Sequence, residues 1–498
     1  MAAKTSRWLI ALTAIFVRLP AFMGRFYSND EATYSALAAK LLSGGRMYVD
    51  AIDHKPPGIA MLYSAIFRVA GLYRMLPIRL VLIAVVAATG IALGELAVAA
   101  TGDRRARIAG LLYVVASATG LPDNVQAANA ELWLNLPLSL AALAVVRVPA
   151  ASGAIAAGLL GLAAGALTGT AALFKYQAAV AGVAWLWPLV RMRGRAVAAA
   201  SAAAGLAAGF LCVAAILVGY FARVGDLDAF LFWGWRYNFD YIAAVPLARQ
   251  VVRALTQTSV IAVFWLPVVA AAFVAGAAVE LAWAWAAAMA LAVSVGGRFY
   301  GNYYLMLLPP LTVLAASGCV RLRDRGRAIA YRAIIAGSAV LAVLSVVAGL
   351  SWYGWRPAVR DEDARYRAVG QWIRAETRAD DRLLVWGDSA QIYVYGQRLM
   401  GTRFAFVNYH TGKIWGTGAD LPNAEVNPAR IVPRAWQELF EDLRRAPPAV
   451  IVDAAAGHLH GFDGASLDRY PELWRFVQEH YRLKAVVAGV PLYERSGF

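Results

Sequence analysis

Asp30 and Glu31 stand side by side just beyond the first hydrophobic segment of the chain, and Lys55 follows in the same stretch, in front of Pro56-Pro57. The run 29–58 reads NDEATYSALAAKLLSGGRMYVDAIDHKPPG. A carboxylate and a cation held at one bilayer surface suit one kind of chemistry. The carboxylate activates a hydroxyl as a general base, and the cation holds a lipid-linked phosphate while it leaves. Each residue also has a plain structural use. Asn29 or Asp30 would cap a helix through Ala32 to Leu42, whose N-terminus favours acids. Lys55 would snorkel from a helix opening at Pro56. Position argues for chemistry beside structure, because two carboxylates next to a span are costly to leave unpaired near lipid. The prolines also set Lys55 at a helix start, where anions are favoured. Asp53 and His54 precede it and leave a divalent metal open, although two adjacent residues rarely converge on one ion.

Three further places carry candidate residues. Loop 121–131, LPDNVQAANAE, holds Asp123, for which capping is the simpler use, and Glu131, which opens a span and could turn inward. Lys175, in LFKYQ, sits among apolar residues at a span end, where it either snorkels or serves an anion. Loop 297–304, GRFYGNYY, brings Arg298, whose planar fork suits a lipid phosphate, beside Tyr300, Tyr303 and Tyr304, which also fit an interfacial aromatic belt. Loop 221–257 contains FLFWGWRYNFDY, an amphipathic segment that anchors at the interface or lines a lipid or sugar cleft.

These residues need a membrane scaffold, and the composition supplies one. The chain has 498 residues, 60% of them hydrophobic, with a mean hydropathy of +0.56. Apolar runs of spanning length recur. About eleven spans are expected, near 8–23, 78–100, 107–121, 132–147, 153–170, 176–190, 197–220, 258–277, 280–296, 303–319 and 330–351, the eighth and ninth forming a hairpin. The net charge of +16 comes from arginines clustered in short loops, which is topology signalling and not a nucleic-acid face. With the N-terminus in the cytoplasm, Arg104, Arg105 and Arg107, then Arg147, Arg191, Arg193 and Arg195, then Arg321, Arg323, Arg325 and Arg327 all fall inside, as the positive-inside rule requires. Loops 24–77, 121–131, 221–257 and 297–302 then fall outside, as does 352–498. That last part is charged and holds four of the five histidines. Its short apolar runs at 381–387, 449–453 and 482–489 alternate with helix-like stretches at 434–445 and 471–480, which predicts a small α/β domain. Two cysteines inside apolar runs, Cys212 and Cys319, build no disulfide framework or thiolate metal site. No phosphate-cradling glycine loop is present, so no nucleotide cofactor is expected. Arg18 and Pro20 interrupt the first apolar run, and no cleavable signal peptide is read there.

The order of these motifs resembles the polytopic GT-C glycosyltransferases, nearest to bacterial members related to protein O-mannosyltransferases and aminoarabinose transferases (glycosyltransferase family 39-like). The matching residues are Arg18-Leu19-Pro20, Asn29-Asp30-Glu31-Ala32 with Tyr34, Gly45 with Tyr48, and Lys55-Pro56-Pro57-Gly58. Asn129-Ala130-Glu131, Lys175 and Arg298-Phe299-Tyr300, followed by Pro309-Pro310, resemble later landmarks. The resemblance covers roughly residues 15–320. It implies a membrane domain, 1–351, with an extracytoplasmic domain, 352–498, in a bacterial inner membrane. It implies a polyprenyl-phosphate-linked sugar donor and an inverting transfer to a lipid, glycan or protein acceptor outside that membrane. Asp30, with Glu31, is the implied catalytic acid pair. Lys55 is the implied phosphate ligand, joined by Arg298 and Lys175, with Glu131, Tyr48 and Tyr303 on the acceptor side or behind it. Asn302 where members often carry histidine, and His54 where aminoarabinose transferases carry an acid, weaken a family-like metal site. A flippase of lipid-linked sugars is the alternative, sharing the spans and the cation but leaving the acidic pair without a purpose. A non-enzymatic scaffold whose external part binds envelope polymer is the third reading. It differs in what deleting 352–498 would abolish: everything for a scaffold, but not all donor cleavage for a transferase.

Overall fold

The computed structural model describes residues 3–243, 245–276, 279–414 and 428–496. The chain forms two units. The first comprises Met1–Gly24, Ile78–Leu227 and Gln250–Ser351, and the second Arg25–Pro77, Asp228–Arg249 and Trp352–Phe498.

Helices make up the first unit. Among the described residues, six helices are long and apolar enough to cross a membrane: Met75–Thr101, Ala130–Ala150, Ala154–Ala172, Ala196–Val224, Gly301–Asp324 and Ala328–Leu350. A seventh span results if Leu247–Phe264 and Leu266–Phe273 count as one, bent by 90°. Pro267, near the start of the second piece, supplies no backbone N–H to continue the first. The bent pair begins earlier than the expected segment 258–277, whose last residue lies outside the described ones. Ser6–Val17, Tyr176–Val190 and Glu280–Ser294 are apolar helices below spanning length, and Ile108–Ala116 is shorter still. Every one of the eleven expected segments is thus helical, and six or seven of them meet the length of a span.

Small residues set the closest packing in this unit. A Cβ on Gly161 would run into the carbonyl of Ala202, and one on Gly165 into that of Leu206. Helices Ala154–Ala172 and Ala196–Val224 therefore meet backbone to backbone, the contact that small residues permit in lipid. Arg18 is buried and structural: its Nη2 donates to the Ser117 carbonyl at 2.9 Å and its Nη1 to the Val125 carbonyl.

In the second unit, a five-stranded sheet has the order β2-β1-β3-β5-β4. The strands are β1 (Arg382–Trp386), β2 (Leu399–Met400), β3 (Val450–Asp453), β4 (Tyr481–Val487) and β5 (Val490–Arg495). β1 runs parallel to β2 and β3, with Leu384 opposite Ile451, while β5 pairs antiparallel to β3 and β4. β3 is buried throughout and β1 in all but its first residue, as parallel strands in the middle of a sheet must be. Helices Pro357–Glu376, Pro433–Arg445 and Pro471–His480 each open on a proline, whose fixed φ suits the first helical position. The expected strands and the two expected helices are present; β2, β5 and helix Pro357–Glu376 join them. The same unit holds helices Asn29–Leu42 and Gly58–Ala70, which flank the stretch containing Lys55.

Candidate active site

Ser28 caps the helix Asn29–Leu42, its Oγ accepting from the Asp30 N–H at 3.2 Å. Neither Asn29 nor Asp30 is the cap, as the spacing had suggested. A serine one residue earlier does that work, so the Asp30 carboxylate can face elsewhere. Its Oδ1 accepts from Lys55 Nζ at 3.0 Å, and its Oδ2 accepts from the Tyr34 hydroxyl, one turn along, at 3.3 Å. Lys55 Nζ also lies 3.8 Å from Asp53 Oδ2 and 5.0 Å from the centre of the Tyr34 ring. The ammonium is therefore held between two carboxylates and against an aromatic face. The side chains of Asp30 and Lys55 are 38% and 26% exposed, that of Asp53 only 2%.

That difference in burial sets the electrostatics. Burial pushes the pKa of Asp53 up, against the opposing pull of Lys55 and of the backbone N–H groups of Lys55 and His54. For Lys55, burial disfavours the charge, but Asp30, Asp53 and Tyr34 outweigh it and hold its pKa well above that of a free lysine.

The backbone around Lys55 is tied down atom by atom. Asp53 Oδ1 accepts from the N–H of His54 at 2.7 Å and of Lys55 at 3.3 Å, the side-chain turn that aspartate favours. The Tyr48 hydroxyl donates to the Lys55 carbonyl at 2.8 Å, and Tyr48 itself holds a φ of 67°. Asn238 Nδ2 donates to the His54 carbonyl at 2.7 Å and to the Gly234 carbonyl at 3.1 Å. His54 Nδ1 lies 3.2 Å from the Tyr409 hydroxyl, and its ring lies 4.4 Å from that of Tyr241. Glu31 is buried, and its Oε2 accepts from the Tyr27 N–H at 3.1 Å, which fixes the entry to the helix. Beside it, Asn29 Nδ2 donates to the carbonyl and carboxylate of Asp388.

Asp30, Glu31, Tyr48, Asp53, His54 and Lys55 thus belong to one unit, and five of them are joined by hydrogen bonds or ion pairs. Tyr34, named above only as part of a motif, completes the cluster, and Asn238 and Tyr409 join it without having been singled out from sequence. Tyr34 was legible in principle, four residues after Asp30 on one helix face. Within the run FLFWGWRYNFDY, Phe230–Arg236 is π-helical, an irregularity common at functional sites, and it leads into Asn238.

Glu131, Lys175 and Tyr303 come together in the first unit. Lys175 Nζ donates to Glu131 Oε1 and sits 3.0 Å above the centre of the Tyr303 ring, while Asn302 Nδ2 donates to Glu131 Oε2 at 3.2 Å. Glu131 is 2% and Lys175 12% exposed. Arg298 is buried in the same unit; its carbonyl accepts from Arg253 Nε at 2.7 Å, and the Arg253 guanidinium stacks 4.9 Å from the Tyr300 ring. Asp123 stands in the first turn of the short helix Pro122–Val125, its Oδ1 accepting from the Asn124 N–H.

Among the described residues, no group of three or more His, Cys, Asp or Glu side chains converges as metal ligands do. At Asp53 and His54 the reason is visible. The place between the Asp30 and Asp53 carboxylates is taken by the Lys55 ammonium, and His54 Nδ1 faces Tyr409. The residues present do not fit a divalent ion there.

No protein-family model and no curated protein matches the chain. Solved structures do. ArnT from Cupriavidus metallidurans in the apo state is 15% identical, with a TM-score of 0.63 over 99% of this chain and 98% of that one. The same enzyme bound to undecaprenyl phosphate gives 0.57 at 15% identity, over 98% and 97%. The chain shares the fold of these structures. Archaeal oligosaccharyltransferase AglB from Archaeoglobus fulgidus, in complex with an inhibitory peptide and a dolichol-phosphate, is 12% identical and gives 0.51 over 99% of this chain and 74% of that one. With this fold and its six or seven spans, the chain is a multi-span membrane protein.

Proposed function

We propose that this chain is an inverting glycosyltransferase that moves a sugar from a polyprenyl-phosphate-linked donor to a lipid, polysaccharide or protein acceptor on the extracytoplasmic side of a bacterial inner membrane. The observation that carries the reading is the Lys55 ammonium held between the Asp30 and Asp53 carboxylates. A carboxylate paired with an ammonium is a weak base. An incoming lipid phosphate competes for the same ammonium, and the pair is open enough to solvent for the exchange to occur. Lys55 then turns from Asp30 to the phosphate, still neutralised by buried Asp53, and Asp30 becomes free to accept a proton. In the transfer, the acceptor oxygen or nitrogen forms its bond to the anomeric carbon as the bond from that carbon to the phosphate oxygen breaks. Asp30 takes the acceptor proton, and the phosphate leaves with the electron pair, its growing charge offset by Lys55. One displacement inverts the anomeric centre.

The other residues support this scheme in distinct ways. Glu31 fixes the helix that carries Asp30. Tyr48 holds the carbonyl of Lys55. In the first unit, Lys175 serves an anion only by exchanging Glu131 for it, and Arg298 is a second buried cation there. The lipid phosphates bound in two structurally similar proteins are of the carrier class that this reading leaves behind after transfer.

The test is to purify wild type and Asp30→Asn from native membranes and identify the co-purifying lipids by mass spectrometry. The reading expects a polyprenyl-phospho-sugar retained by the variant and bare polyprenyl phosphate in wild type. Full transfer by Asp30→Asn would remove Asp30 as the base. Intact donor in both proteins would instead favour a flippase.

A further inference from the structure

Three carbonyls in one short segment of the C-terminal part receive the region around Lys55. The carbonyl of Arg398 accepts from the Tyr73 hydroxyl at 2.8 Å, that of Met400 from Lys40 Nζ at 3.0 Å, and that of Arg403 from the Ile52 N–H at 2.8 Å. Ile52 and Phe404 also form a parallel β-bridge. Ile52 immediately precedes Asp53, so this bridge fixes the start of the loop that presents Lys55. One residue after Asp53, the loop is secured again. His54 Nδ1 meets the Tyr409 hydroxyl at 3.2 Å, with the Tyr409 ring packed 5.0 Å from Tyr237 and 4.9 Å from Trp233.

Segment 398–409 is itself rigidly held. Asp442, buried, accepts from the Arg403 N–H at 2.9 Å, from its Nε at 3.0 Å and from its Nη2 at 2.9 Å. Glu438 and Glu441 lie 3.6 and 3.3 Å from the same guanidinium. A planar fork closed on a carboxylate is among the most directional side-chain contacts available. Arg403 thus joins the two ends of a chain of contacts: its side chain is locked to helix Pro433–Arg445, and its carbonyl holds Ile52.

We propose that Arg403 and Tyr409 are positioning residues for Lys55, and that segment 398–409 completes the phosphate site in cis. This rests on the phosphate-binding reading of Lys55. It gives the C-terminal part a defined task, holding the cation of the transfer chemistry in register. It also predicts that deleting 352–498 abolishes donor cleavage, which the sequence alone would have assigned to a scaffold.

The experiment uses the full chain in lipid nanodiscs, with undecaprenyl phosphate as the probe, in four forms: wild type, Lys55→Ala, Tyr409→Phe and Arg403→Lys. Two quantities are read: affinity for the lipid, and the rate at which the Lys55 amine is acylated in a brief acetic anhydride pulse, resolved by peptide mass spectrometry. Tyr409→Phe keeps the ring and removes one hydroxyl. Loss of one hydrogen bond is worth about 1 kcal/mol, so affinity should fall about five-fold at 1.4 kcal/mol per tenfold. Arg403→Lys keeps the charge and loses the fork, and should weaken binding at least as much. In both, Lys55 acylation should quicken as the loop loosens, a change that a merely global loss of stability does not confine to this lysine. Wild-type affinity and wild-type acylation in Tyr409→Phe would overturn the proposal, even if Arg403→Lys fails to fold. If Lys55→Ala binds the lipid as wild type does, the phosphate reading fails instead, so the two failures are distinguishable.

Discussion

The buried pair Glu131–Lys175 offers a sharp test of how charge is held in the first unit. Consider Lys175→Met, which keeps length and apolar bulk and removes the ammonium. Glu131 is 2% exposed and would be left with only the Asn302 amide, at 3.2 Å, among the partners described here. Removing one member of a buried ion pair costs about 3–5 kcal/mol, because the other charge stays desolvated. At roughly 2 °C per kcal/mol for a body of this size, the unfolding midpoint should drop by roughly 6–10 °C. Glu131→Gln should cost less, since Lys175 keeps its place on the Tyr303 ring, a contact worth about 0.5–2 kcal/mol. The informative variant is the double one, Glu131→Gln with Lys175→Met, which leaves no charge behind. It should be more stable than Lys175→Met alone by at least about 2 kcal/mol, a non-additivity expected of residues in direct contact. Thermal unfolding in one detergent, followed by tryptophan fluorescence, measures all four corners of the cycle. A Lys175→Met penalty below about 1 kcal/mol, or a double variant that costs the sum of the singles, would refute the reasoning.

Asp453, at the end of β3, is lifted to about 6 by burial, against backbone N–H groups that donate to it. A carboxyl whose folded pKa exceeds its unfolded value of 3.8 contributes stability below about pH 4 and loses it as pH rises to about 6, here about 3 kcal/mol in all. Asp453→Asn should therefore gain on wild type between pH 4 and 6 and hold a constant difference above; a flat difference across a pH scan of unfolding midpoints would contradict this. Gly165→Ala should destabilise strongly, because its Cβ meets the Leu206 carbonyl. Gly182→Ala, with nothing within 4 Å, should be neutral or stabilising by up to about 1 kcal/mol; equal midpoints for the two would disprove the close helix contact. Gly234→Ala places a Cβ 2.9 Å from Tyr48 Cζ and 3.0 Å from its hydroxyl, which should push Tyr48 off the Lys55 carbonyl and weaken undecaprenyl phosphate binding about five-fold, one hydrogen bond's worth. Unchanged affinity would show that this hydroxyl does not matter to Lys55.

Some of this was legible in the residues and some was not, for identifiable reasons. The spans were readable because lipid demands long apolar helices, and the strands at 382–386 and 450–453 because buried parallel strands are unbroken apolar runs. The pairing of Asp30 with Lys55 was foreshadowed by their shared stretch. What escaped was whatever depends on distant parts of the chain. Tyr409 meets His54 across 355 residues and Asn238 meets it across 184, and no local pattern marks either. β2 has only two residues, Leu399 and Met400, too few to show a period. Ser28, Asn29 and Asp30 are equally good cap formers in a row, so the residue types alone do not say which of them caps the helix. Among the expected spans, Ser6–Val17, Tyr176–Val190 and Glu280–Ser294 have the composition of a span and fewer residues than its length requires.

The hydrogen bond from Ile52 to Arg403 also has a meaning in time. Ile52 leaves the ribosome 351 residues before Arg403 does. At roughly 5–20 residues per second, that interval lasts on the order of 20–70 s. Throughout it, the loop bearing Lys55 exists without the segment that seats it, and Lys40 and Tyr73 likewise await carbonyls not yet made. A ribosome that stalls or terminates early releases a membrane protein whose helices can insert but whose site is unassembled. On the proposed role of segment 398–409, a premature stop anywhere before residue 403 should yield a product that does not cleave donor.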